Sequence, residues 1–263
     1  MVTPSKRAAT QRYFEEKYGV DSPEELSLYR EDMRASSLTL SDEQDLEDCI
    51  SVDIASSYER CAFTLFQAVS DLQRGDRLWA SVKLYYSTFY ALRAEILLAN
   101  QIVVRAGRFL IIEGRRGAQF SQYNGGAKGD HGVSIALARR FCSGHDILQS
   151  QTINDTPSYE WLKGVREAVQ YKLRRPPELD NFDPFFPDAQ WPIHDQVNTF
   201  LGDNDPYFCF DPDYAALALP LKRFQLTART LHLRSIKCGA DFFKLMSGFY
   251  NDGSPCSLLK PFI

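Results

Sequence analysis

The densest chemistry in the chain lies between residues 160 and 175. Lys163, Arg166, Gln170 and Arg174 recur at steps of three and four, with Lys172 and Arg175 beside them. On a helix that spacing gathers one polar face, opposite an apolar stripe of Leu162, Val165, Val169 and Leu173. Guanidinium forks match phosphate oxygens two at a time, so such a face suits an RNA backbone or a nucleotide. Cations also suit the C-terminal end of a helix, where the dipole favours them, so a solvated face is the competing reading. Arg115 and Arg116, preceded by Arg105 and Arg108, either extend a basic surface or form a protein contact. Residues 105–175 hold twelve Lys and Arg against six Asp and Glu, inside a chain of net charge −4. That local field fits an anionic partner, or an acidic part of the same chain or of another protein.

Histidine offers less. Asp130-His131, His145-Asp146 and His194-Asp195 are neighbouring pairs. Gly144-His145-Asp146-Ile147 superficially resembles the His-Asp element of metal phosphohydrolases, but the flanking helices lack the usual apolar setting, and helix-end histidines are the simpler reading. Arg140 and His145 form an Arg-x4-His spacing with Gly144 inside it, which reads as a glycine helix stop. There is no Walker A loop, no GxSxG elbow and no HExxH. Asn124-Gly-Gly-Ala-Lys128-Gly129 is glycine-rich without P-loop spacing and reads as a connector. The six cysteines form no CxxC pair, and most lie among apolar neighbours, which predicts reduced thiols acting as small core hydrophobes.

The elements that must position these groups are mainly helical. Ser22-Pro23-Glu24-Glu25 and Ser41-Asp-Glu-Gln44 are helix starts, the second a capping box. Residues 42–73 follow as one long or two shorter helices, ending at Gly75. Residues 77–100 give the strongest helix: Leu78, Val82, Tyr85, Phe89, Leu92 and Ile96 form one stripe, and Trp79, Tyr86, Tyr90 and Leu97 a second. A helix apolar over so much of its girth packs on more than one side. Residues 103–123 read as a β-hairpin with a basic tip at Gly114-Arg-Arg-Gly117. Helices are expected at about 130–142, 157–174, 212–236 and 240–250, with an irregular Pro-rich connector over 176–212 containing a short helix near 191–200. No apolar run approaches the roughly 18 residues of a membrane span, and residues 1–19 have no apolar signal region, so the expected compartment is the cytoplasm.

The string from Lys83 to Gln101, KLYYSTFYALRAEILLANQ, resembles the central helix of HEPN domains, the helical nucleotide-binding and ribonuclease modules of prokaryotic toxins and defence proteins. The connector at Lys128–Ile135, the helix around Val165-Arg-Glu-Ala-Val-Gln-Tyr171 and the Ala-rich helix from Tyr214 follow in the same order. The order fits over roughly 45–240, and the residue match concentrates at 83–98 and 160–175. The resemblance implies a mainly α, up-down helical bundle with an inserted β-hairpin and the Pro-rich connector. Its bounds are a helical extension at 1–44, the HEPN-like domain at 45–250 and a tail at 251–263. It implies RNA binding or metal-independent endoribonuclease activity in an anti-phage defence or toxin–antitoxin system, without cofactor or metal, in a homodimer. In that family the ribonuclease pairs an Arg with a His four to six positions on. Carried over, the Arg is Arg166, and the fifth position on is Tyr171 rather than His. A phenol titrating near 10 is a poorer base than imidazole at neutral pH. Arg166, Tyr171, His131 and His145 are therefore the candidate catalytic residues. Lys163, Lys172, Arg174, Arg175, Arg115, Arg116 and Lys128 are the candidate nucleic-acid contacts. The alternative is a non-catalytic HEPN-like scaffold subunit of a multiprotein defence complex, with a metal phosphohydrolase third.

Overall fold

The structure, a computed structural model, describes residues 7–144, 146–172, 186, 191–250 and 253–263. It is mainly helical, with a small antiparallel sheet. The chain divides into two compact units. One comprises Met1–Ser56 and Arg93–Cys142, and the other Ser57–Leu92 and Ser143–Ile263. Each long helix, α4 (Leu40–Gln73) and α5 (Arg77–Leu98), is cut by this division and contributes a stretch to both.

In the first unit, α1 (Ala9–Lys17) begins without a capping side chain of its own. Asp53, from α4, supplies the cap. Its carboxylate accepts from the amides of Ala9 at 2.6 Å and Thr10 at 2.9 Å, satisfying donors that a helix start leaves open. Short helices α2 (Pro23–Leu26) and α3 (Arg30–Ala35) follow. Ser22 caps α2 as its sequence position requires, taking the Glu25 amide at 3.1 Å. The box expected at Ser41 is instead built two residues earlier. The Thr39 hydroxyl accepts from the Asp42 amide at 3.2 Å, and the Asp42 carboxylate from the Thr39 amide at 2.7 Å. The Asp42 carboxylate also takes Tyr13 and Lys17, which ties α1 to α4.

The sheet of this unit has three strands, β1 (Gln101–Ala106), β2 (Arg108–Glu113) and β3 (Ser121–Gln122), in the order β1-β2-β3. The expected hairpin at 103–123 therefore becomes two connections. The tight turn is at Gly107, between the paired Ala106 and Arg108, and the stretch with Arg115 and Arg116 joins β2 to β3. Gly107 makes the early turn possible: its φ is +68° and a Cβ there would meet Ser27 Cβ at 2.9 Å. The edge of β1 is covered by a side chain. Gln11 receives the Arg105 amide at 2.7 Å and donates to the Arg105 carbonyl at 3.0 Å, mimicking a neighbouring strand. Helix α6 (Gly129–Cys142) follows the sheet.

In the second unit, α5 and the end of α4 form a helical hairpin. With them are β4 (Thr152–Ile153), β5 (Thr156–Pro157), α7 (Ser158–Glu167), α8 (Ile193–Gly202), α9 (Ala215–Leu233) and α10 (Ala240–Met246). Helix α9 keeps Pro220 inside it and is buried without interruption from Ala215 to Gln225. Its buried Arg223 pairs with the equally buried Asp146 at 3.0 Å, and the Tyr159 hydroxyl donates to Asp146 at 2.7 Å. Burial drives the Tyr159 phenol well above its ordinary range, with Arg223 pulling the other way. The chain end is built into the core. A 3-10 helix over Pro255–Phe262 buries Cys256 and Leu259 fully, and the Tyr58 hydroxyl donates to the Phe262 carbonyl. Of the Pro-rich connector at 176–212, residues 176–185 and 187–190 lie outside the described residues. None of the six cysteines is in a disulfide, and Cys61, Cys209 and Cys256 are buried. Burial pushes the Cys209 thiol up to about 12, as expected of an inert core thiol.

Candidate functional site

The aromatic helix α5 must bury two stripes, and the structure buries one of them more deeply. Tyr85 and Phe89 are in the core, whereas Tyr86 and Tyr90 are half-buried and Trp79 is exposed. Their rings form a row along the second unit. Tyr85 and Tyr86 are edge to face with centroids 5.5 Å apart, and Tyr86 and Tyr90 lie 6.3 Å apart. An arginine closes each end. Arg166 Cζ lies 5.1 Å from the Tyr85 ring, and Arg60 Cζ 5.9 Å from the Tyr90 ring. Both separations are within the range of cation–π attraction.

Arg166 is only 8% exposed. Its Nη1 donates to Gln170 Oε1 at 3.2 Å, it hydrogen-bonds with Tyr85, and its Nε is buried without a hydrogen-bond partner. Burial pushes the Tyr85 phenol up to about 12, while Arg166 draws it down. The expected polar stripe is therefore not uniform: Arg166 turns inward under the tyrosines. Lys163 stays half-exposed and pairs with Glu167 at 3.5 Å, which offsets part of the positive field. After Glu167 the helix passes into a π-helical turn, Ala168–Lys172. Such turns insert a residue into the helical register and recur at functional sites. Here the turn holds Tyr171 75% exposed and Lys172 also exposed.

Among the sequence candidates, Arg166, Tyr171, Lys163 and Lys172 belong to the second unit. Arg115, Arg116, Lys128 and His131 belong to the first. His145, Arg174 and Arg175 lie outside the described residues. Arg115 is paired with Glu113 at 2.6 Å, Arg116 and Lys128 are exposed, and His131 is half-buried in the first turn of α6. Asp146 is committed to Arg223 and Tyr159, and His194 is 3.3 Å from Asp195 on the surface. Among the described residues no group of three His, Cys, Asp or Glu could hold a metal ion. Sequence reasoning missed Arg60 and gave the tyrosines to the core alone. The signal available was the four-residue step from Tyr86 to Tyr90, which leaves both on one helical edge.

The accessible part of the row is the half-buried rings of Tyr86 and Tyr90 and the exposed guanidinium of Arg60, with Tyr85 and Arg166 buried behind them, chemistry suited to stacking bases and pairing a phosphate rather than to proton transfer. No protein-family model, curated protein or solved structure matches this chain.

Proposed function

We propose that the chain is a HEPN-like protein that binds single-stranded RNA on Arg60, Tyr90 and Tyr86, the accessible part of a row that buried Tyr85 and Arg166 support from behind, within a prokaryotic defence or toxin–antitoxin system. The observation that carries this reading is the row itself, with an arginine over a ring at either end. Base stacking on an aromatic side chain is worth about 1–3 kcal/mol per base and tolerates any sequence. The exposed Tyr171 and Lys172 of the π-helical turn add a further ring and cation. Cleavage by the chain alone is disfavoured, because the partner of Arg166 in the ribonuclease pattern is a phenol instead of an imidazole. The second reading, a non-catalytic scaffold subunit, draws on the burial of Arg166, which already serves Tyr85 and Gln170 as a structural pin.

The test is binding of single-stranded RNA to the purified chain, with and without EDTA, beside Arg60→Gln, Tyr86→Ala, Tyr90→Ala and Arg166→Ala. RNA binding means saturable retention without cleavage, weakened severalfold by Arg60→Gln and by either tyrosine change. Metal-independent cleavage lost in Arg166→Ala would restore the ribonuclease. No binding in the wild type leaves the scaffold reading. A homodimer is expected, and light scattering on the eluted peak tests it.

A further inference from the structure

The hairpin of α4 and α5 makes a second charged cluster. The turn between the helices is tight: the Gly75 amide donates to the Leu72 carbonyl at 3.0 Å and the Asp76 amide to the Asp71 carbonyl at 2.9 Å, with Gly75 at φ +85°. This closure places Asp71 in the last turn of α4, Arg74 just beyond it and Lys83 on α5 within reach of one another. Asp71 is 3% exposed, and each of its carboxylate oxygens takes one cation, Arg74 on one and Lys83 on the other. One buried carboxylate thus fixes two cations in place while neutralising one charge. The Arg74 side chain remains 68% exposed, and a guanidinium has five donors and an ammonium three, so most of their hydrogen-bonding capacity is unspent.

These three residues line a cleft of about 500 Å³, a volume typical of small-ligand sites. Gln67 and Gln73 add amides that both donate and accept, and Phe249 supplies an apolar wall. We infer that this cleft binds a phosphate group, free or as a small phosphomonoester, held by Arg74 and Lys83. Cations fixed by a buried anion are pre-organised, so little side-chain entropy is lost when a dianion docks. A residual positive charge with unfilled donors, together with amides and a ring in the same lining, matches an anionic head on a hydroxylated organic body. The cleft is separate in composition from the tyrosine row and does not depend on the RNA-binding reading.

The test is calorimetric titration of the full chain with inorganic phosphate, with glucose 6-phosphate and with glucose, repeated on Arg74→Gln, Lys83→Gln and Arg234→Gln. Both phosphates should saturate a single site and glucose should not. Tighter binding of the ester assigns the site to phosphomonoesters, and equal binding assigns it to free phosphate. Arg74→Gln changes an exposed side chain, keeps the fold by circular dichroism, and should weaken binding about tenfold, as expected for loss of one charged hydrogen bond. Arg234→Gln, at an exposed cation outside the cleft, should leave it unchanged. The inference is overturned if neither phosphate saturates, or if binding survives Arg74→Gln unchanged.

Discussion

At the residue scale, the informative groups are charges whose partners lie far away in sequence. Burial alone would raise the Asp42 carboxyl, but hydrogen bonds from Lys17, Tyr13 and Thr39 outweigh it and hold the group well below its ordinary 3.8. A depressed folded pKa contributes stability that is complete above the unfolded value and is lost as pH falls through the folded one. Asp42→Asn should therefore destabilise the protein at pH 7 by about 2 kcal/mol. The gap from wild type should narrow below about pH 4, read from urea midpoints; a gap that is constant with pH contradicts the assignment. Asp146→Ala should be more severe, roughly 3–5 kcal/mol, because it removes one partner of a buried ion pair. Double substitution of Asp146 and Arg223 by apolar residues should recover part of that loss in the same measurement.

At the scale of elements, two positions decide whether local structure forms. Gly107→Ala forces a side chain into a left-handed turn and against Ser27, so β1 and β2 should lose their register. A loss of more than about 1 kcal/mol is expected, with faster amide exchange across the Ile102 and Ile112 pair. Asp53→Ala removes the cap of α1, costs roughly 1–2 kcal/mol and should raise exchange at Ala9 and Thr10 first. The capping box illustrates how far sequence reading reaches. A start near 40 was legible because only certain residues accept free helix amides. The choice of Thr39 over Ser41 depended on the Asp42 carboxylate also meeting Tyr13 and Lys17.

At the scale of the molecule, neither compact unit is a continuous piece of chain. The segment 143–263 lacks residues 57–92, which carry Tyr58, Phe66 and Leu84 of its core. Expressed alone it should stay unfolded, as judged by its amide spectrum; a cooperative thermal transition would contradict this. The helix content, the extensive burial of α5, the helices at 129–142, 193–202 and 215–233, and the buried cysteines follow from periodicity, glycine and proline placement and apolar neighbours, all of which are local properties of the sequence. The chain alone also shows that the residue five positions after Arg166 is Tyr171 and not a histidine. What it does not show is which side chains turn inward. Arg166 shares a helical face with Lys163 by spacing, yet one lies beneath Tyr85 and the other pairs with Glu167 at the surface. Arg60 meets Tyr90, and Lys83 meets Asp71, across separate helices. Local periodicity fixes the angle of a side chain about its own helix, while its burial and its partners depend on contacts between distant segments, so those features are decided only by the tertiary structure.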